Sequence, residues 1–225
     1  WEKVFNITPE IIFQAYQNRG LLDKSVFVEL LKPLLKVVDF DLNITMLELY
    51  KKTNMEFFIY ATEINLVECQ IFSYLNSPDE SVIELIYRSC TIPILFKPSI
   101  NDNENTCYID GGVFANYPYD YFLSRNSNID NEKILGVKLI HENNENDFVN
   151  SESNISEFLF LFMKNLIKIQ KKYMIQEINE KLTNELKIHC ESISFSTLKK
   201  FIYEKKERIR LLEEGKKYAT LFLSN

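Results

Sequence analysis

Glycine is scarce in this sequence: Gly20, Gly111, Gly112, Gly136 and Gly215 are the only five in 225 residues. Phosphate-cradling and nucleophile-presenting loops need glycines at fixed offsets, because only a residue without Cβ lets backbone approach a ligand or turn that sharply. None of those offsets occurs here, so G-x-G-x-x-G, the P-loop and the G-x-S-x-G elbow are all excluded within these residues. Basic excess is also lacking. Lys plus Arg number 26 against 32 Asp plus Glu, a formal charge of −6, which excludes a uniformly basic nucleic-acid binder. The four cysteines form no C-x-x-C pair, so no zinc knuckle or dense disulfide framework is expected, and a reducing compartment follows. No apolar run approaches the roughly 18 residues that span a bilayer. The two histidines lie far apart and no carboxylates fall at EF-hand spacing, so neither a metal nor a cofactor is expected. The first residue is Trp1, with no charged leader and cleavage site after it, and this start reads as a fragment boundary.

What is present is an ordinary globular composition, 46% hydrophobic and 26% charged, with an uneven charge. Residues 1–150 carry 12 basic and 22 acidic side chains, whereas residues 151–225 carry 14 and 10. An anionic surface would therefore meet the C-terminal third first. Periodicity and end signals predict helices over Thr8 to Gln17, Ser25 to Leu35 with Pro33 as kink or stop, and Thr45 to Lys52, opened by a Thr45/Glu48 capping box. They predict another after Ser81, with a second capping box to Glu84, one after Pro118, a long amphipathic one over 155–182, and one over Thr197 to Leu223. Strands are expected over Glu56 to Thr62, Cys69 to Tyr74, Thr106 to Ile109, Ile134 to Ile140 and Lys187 to Ile193. Gly20 is read as the end of the first helix, and the apolar side of helix 155–182 as lying on the sheet. This alternation implies a mainly parallel sheet with helices on both faces, in a single domain over 1–225.

The strongest local feature is Tyr108-Ile109-Asp110-Gly111-Gly112-Val113-Phe114-Ala115-Asn116-Tyr117-Pro118, a carboxylate at a strand end followed by two residues without side chains. In an open α/β sheet such a position faces the reactive crevice, so Asp110 is the candidate catalytic group. The alternative is that Asp110 bonds the amides of its own turn, as Asp-Gly often does. His141, which follows a strand, has the chain order of a hydrolase triad but opens a polar loop; His189 reads as a strand residue.

The string Ser89-Cys90-Thr91-Ile92-Pro93-Ile94-Leu95-Phe96-Lys97-Pro98, followed by Cys107 to Pro118, resembles the second half of a patatin-like phospholipase domain. Gly20 to Asp23, the strand Phe57 to Thr62 and Ser77-Pro78-Asp79 extend the resemblance upstream; Phe195-Ser196 and Leu211 to Ala219 extend it downstream. The resemblance implies a three-layer α/β/α fold, here N-terminally truncated, from a phospholipase A or other lipid acyl hydrolase that uses a Ser-Asp dyad without calcium. Asp110 would be the base, with Gly111 and Gly112 shaping its turn; Phe96 and Phe114, as apolar residues near the Asp loop, are the candidates to line the acyl site. The serine and the glycine-rich oxyanion loop would lie upstream of Trp1, so the fragment alone is expected to be inactive and aggregation-prone. The substrate would be a phospholipid or other acyl ester, the location cytoplasmic and peripheral at membranes. Contact would run through the Lys164, Lys168, Lys171 and Lys172 stripe beside Phe158 to Met163, unless that stripe is a solvated face. The competing reading is a non-catalytic module of the same fold that binds lipid or a protein partner.

Overall fold

The structure, a computed structural model, describes residues 13, 16–125, 129–141, 149–151, 155–174, 182–190, 200 and 204–224. The described residues divide into two compact units, a first that ends at Asn116 and a second that begins at Tyr117.

In the first unit, β1 (Gly20–Leu22) pairs in parallel with β4 (Ile94–Phe96). The helix expected from Thr8 lies outside the described residues except for Phe13 and 16–17, which are helical and followed by a helical Asn18. Gly20 belongs to a strand instead of merely ending that helix. A Cβ there would lie 2.3 Å from the Phe96 carbonyl carbon, so the glycine permits close strand approach. Helix α1 (Ser25–Val37) runs through Pro33 without stopping. Pro33 and Glu29 are both exposed, so water can satisfy the carbonyl that the proline ring leaves unbonded.

Helix α2 (Met46–Thr53) begins at the expected capping box: the Glu48 amide donates to Thr45 Oγ1 at 3.2 Å, and the Thr45 amide to Glu48 Oε2 at 2.9 Å. It ends at Asn54 in the left-handed region, φ 54°. The second expected capping box does not form. At the start of α3 (Val82–Cys90), Ser81 makes no side-chain cap bond, and the Glu84 carboxylate is drawn to Lys24 Nζ at 2.5 Å and Ser99 Oγ at 3.3 Å. The Val82 amide is satisfied by the Ile44 carbonyl at 3.0 Å.

The largest sheet has four strands in the order β3 (Glu68–Phe72), β2 (Ile59–Glu63), β6 (Thr106–Asp110), β5 (Ser99–Asn101). All three of its pairings are antiparallel. The α/β class stands, but among the described residues parallel pairing is confined to the two-stranded sheets, so the expected mainly parallel sheet is not seen there. The reason is connection length: residues 64–67 join β2 to β3 and residues 102–105 join β5 to β6, and so short a link permits only a hairpin. One face of the sheet and α3 enclose Ile44, Met46, Ile59, Ala61, Phe72, Val82, Leu85 and Tyr108. Burying a Leu or Ile side chain contributes about 2 kcal/mol, so this cluster anchors β2 and β6 beneath the site described below.

Glu63, at the end of β2, is 1% exposed. Burial alone would raise its carboxyl pKa, but backbone amides of Cys107 (2.8 Å), Leu66 (2.6 Å) and Asn65 (3.2 Å) outweigh that and hold it below the ordinary value. A lowered carboxyl stabilises the fold above its unfolded pKa and loses that contribution as pH falls through the folded value. Glu63→Gln turns an NH₂ toward a backbone N–H and is expected to cost about 2 kcal/mol in urea denaturation at pH 7. The gap to wild type should shrink once pH falls below the ordinary glutamate range.

In the second unit, α5 (Tyr119–Arg125) starts one residue after Pro118, as expected. β7 (Leu135–His141) pairs in parallel with β8 (Asn184–Cys190) along all seven residues, with α6 (Ile155–Met174) between them in sequence. α7 (Lys205–Leu223) closes the chain. Along α6, Ile155, Phe158, Phe162 and Leu166 are exposed, whereas Leu159, Leu161 and Met163 are half-buried. Residues 142–148, 152–154, 175–181 and 191–199, which include the polar loop and parts of the last predicted strand and helix, are outside the described residues.

Candidate active site

Asp110 is the last residue of β6, opposite Ala61 of β2. Three hydrogen bonds fix the backbone at this point. The Asp110 amide donates to the Thr91 carbonyl (2.9 Å), the Gly111 amide to the Ser89 carbonyl (3.0 Å), and Thr62 Oγ1 to the Asp110 carbonyl (2.9 Å). The last carbonyls of a helix have no intrahelical donor, and here they receive the amides of the β6 terminus. Thr91, completely buried, also returns its own hydroxyl to the Tyr87 carbonyl at 2.6 Å. The strand end is thus tied to the exit of α3 on one side and to β2 on the other.

Beyond Asp110 the chain forms a single helical turn, α4 (Gly112–Ala115). The Gly112 amide donates to Asp110 Oδ1 at 2.6 Å, the local bond expected of an Asp-Gly pair. The strand-end position and this local bond therefore coexist. The glycines act differently from a turn requirement, since no glycine among the described residues has positive φ. Gly111 has φ −66°, but a Cβ on it would lie 2.0 Å from the Tyr60 carbonyl oxygen. A Cβ on Gly112 would lie 2.8 Å from Asp110 Oδ1 and 3.1 Å from Asn116 Oδ1. One glycine admits the neighbouring strand, and the other leaves room for the carboxylate.

Asp110 is half-buried, and its charge is felt nearby. Burial first, and the Asp110 charge second, push the Cys90 thiol pKa up, so Cys90 is a neutral neighbour and not a thiolate nucleophile. Phe114 stands on α4, half-buried, four residues from Asp110. Phe96 packs its ring against Phe27 (5.1 Å) and Tyr87 (6.4 Å). A cleft lined by Lys24, Val28, Leu42, Asn43, Ser81, Ile83 and Glu84 contains none of the residues expected at the site.

His141 ends β7 in the other unit, paired with Cys190. His189 is a residue of β8, and its carbonyl accepts the Tyr218 hydroxyl at 3.4 Å. The residues that sequence reasoning missed are Thr62, Ser89 and Thr91, which hold Asp110 in place. Two signals for them exist: a lone hydroxyl closing the apolar run Phe57 to Ala61, and the run of small residues Ser89-Cys90-Thr91 at a helix end.

The family model for patatin-like phospholipases matches residues 2–123, which takes in every residue of this arrangement. The "probable lipid hydrolase 463L" of Invertebrate iridescent virus 6 is 33% identical over 101 residues, 45% of this chain. Those residues amount to 34% of the viral protein, so the chain spans about a third of the curated relative it matches.

Proposed function

Because the chain belongs to the patatin-like phospholipase family, we propose that it carries the base of a lipid acyl hydrolase working through a Ser-Asp dyad, with Asp110 as that base. The observation that supports this most is the triple backbone anchoring of Asp110 at the end of β6. A general base gains from a fixed position because proton transfer demands hydrogen-bond distance to the group it deprotonates. Asp110 would take the proton as a serine oxygen attacks the ester carbonyl. The Asp110 carboxyl then gives that proton to the departing alcohol; water, deprotonated by the regenerated carboxylate, attacks the acyl-serine, and the proton returns to the serine oxygen as the acid leaves. The 225 residues contain no G-x-S-x-G, so the proposed serine and its oxyanion loop come from sequence outside them. Gly111 and Gly112 shape the base's surroundings, and Phe96 and Phe114 line the acyl chain's path. The substrate is a phospholipid or other acyl ester, and no cofactor takes part.

The same absence of an elbow favours the second reading, a lipid- or protein-binding module without turnover. Hydrolysis of a short-chain nitrophenyl ester and of phospholipid vesicles separates the two. The product of the longest reading frame that includes this chain is expected to be active, and the 225-residue chain inactive. A well-folded longer product without activity would give the binding module the stronger claim. Among the described residues no helix is long and apolar enough to cross a membrane. In this reading the enzyme is cytoplasmic and reaches its lipid at the membrane surface.

A further inference from the structure

Asp110 is not alone in turning an oxygen toward Gly112. The chain is still helical at Asn116, φ −62° and ψ −28°, so positions 112 and 116 lie about one turn apart on the same face of α4. Because Gly112 has no side chain, that face is open. The point that a Cβ would occupy is 2.8 Å from Asp110 Oδ1 and 3.1 Å from Asn116 Oδ1. Two acceptor oxygens, one of them on an ionisable group, thus border a single gap. Asn116 is exposed, so water reaches the gap from its side. The Gly112 amide already donates to Asp110 Oδ1 at 2.6 Å, but an ionised carboxylate accepts several hydrogen bonds and has capacity left.

Two acceptors with no proton between them repel, and a small group with two protons to give joins them. A serine hydroxyl or an alcohol offers one proton, whereas water offers two. We propose that Asn116 is the second acceptor for the water that hydrolyses the acyl-serine, holding one of its protons while Asp110 takes the other. This assignment rests on the hydrolase reading and deepens its second half. As the water oxygen bonds to the acyl carbon, one proton passes to the Asp110 carboxylate. The other stays on that oxygen, directed at Asn116 Oδ1, and departs with the acid. Asp110 returns its proton to the serine oxygen as the acyl–serine bond breaks. In the first half the attacking serine has a single proton, which goes to Asp110, so Asn116 has no part there.

Methanol also has a single proton, and it attacks the same acyl-serine. The longer product, with and without Asn116→Ala, is given nitrophenyl butyrate in buffer containing methanol, and butyric acid and methyl butyrate are both measured. Their ratio compares water with methanol on one intermediate, so the enzyme's overall rate cancels. Asn116→Ala is expected to lower the acid-to-ester ratio about tenfold, the effect of losing one hydrogen bond, with the initial burst of nitrophenol unchanged. Asn116→Asp keeps an acceptor oxygen and should restore the ratio, while its added charge moves the base's midpoint on the pH–rate profile upward. An unchanged ratio in Asn116→Ala, with a urea midpoint equal to wild type, would overturn the proposal. So would a burst, hydrolysis and methanolysis all slowed alike, because Asn116 would then orient Asp110 and not the water. Absence of any nitrophenol release by the well-folded wild type would refute the hydrolase reading itself, and this assignment with it.

Discussion

Gly111→Ala should destabilise the protein by about 3–5 kcal/mol, a large part of the 5–15 kcal/mol that holds a typical domain folded. The added Cβ would sit 2.0 Å from the Tyr60 carbonyl oxygen and 2.6 Å from its carbon. Neither partner can yield cheaply. Tyr60 belongs to β2, which is paired on one side to β3 and on the other to β6. Gly111 is held by its bond to the Ser89 carbonyl, and the residue before it by Thr91 and Thr62. Relieving the overlap means giving up some of these bonds, each contributing about 0.5–1.5 kcal/mol, on top of the overpacking cost. Urea denaturation reads the effect directly. Gly112→Ala is the informative contrast, since its Cβ would meet only the side-chain ends of Asp110 and Asn116, at 2.8 and 3.1 Å. That variant is expected to lose under about 1 kcal/mol of stability, while moving the carboxylate and with it the activity.

The second large effect falls on chemistry and spares the fold. Asp110→Asn keeps an oxygen at Oδ1 for the Gly112 amide, now 2.6 Å away, and touches none of the backbone bonds. Its stability should change by less than about 1 kcal/mol. An amide cannot take up a proton at neutral pH, so ester turnover in the longer product should fall by about 10²–10⁴-fold, the usual contribution of a positioned base. A drop in kcat at nearly constant KM is the expected form, because the lost interaction belongs to the transition state. Together the two variants separate what holds the site from what the site does.

Local signals were legible in the residues wherever the structure uses them locally. The Thr45/Glu48 box is read correctly because both bonds lie within one turn. The Ser81/Glu84 pair has the same spacing and fails, because Lys24, 60 positions away, takes the carboxylate. β2 is visible as an apolar run, whereas β1, β4 and β5 are three residues each, too short for any periodicity to register. The alternation of helices and strands implies parallel pairing, whereas the four-stranded sheet is antiparallel. Its hairpins are signalled only by the short polar links 64–67 and 102–105.

The site shows the same division. Asp110 at a strand end could be picked out from one stretch of sequence, as could the need for glycine beside it. The reason for Gly111 could not, because Tyr60 approaches from 51 residues upstream with no trace in the local pattern. Thr62, Ser89 and Thr91 converge on Asp110 by the same non-local packing.

In the proposed reaction Asp110 activates a serine. The most direct measurement is labelling of the longer product by a fluorophosphonate, a serine-directed electrophile, with the modified residue located by mass spectrometry. Wild type is expected to be labelled on one serine, and Asp110→Asn, equally folded, to be labelled at least about 10²-fold more slowly. Equal labelling of the two proteins, or none in a well-folded wild type, would exclude Asp110 as the base of a serine hydrolase.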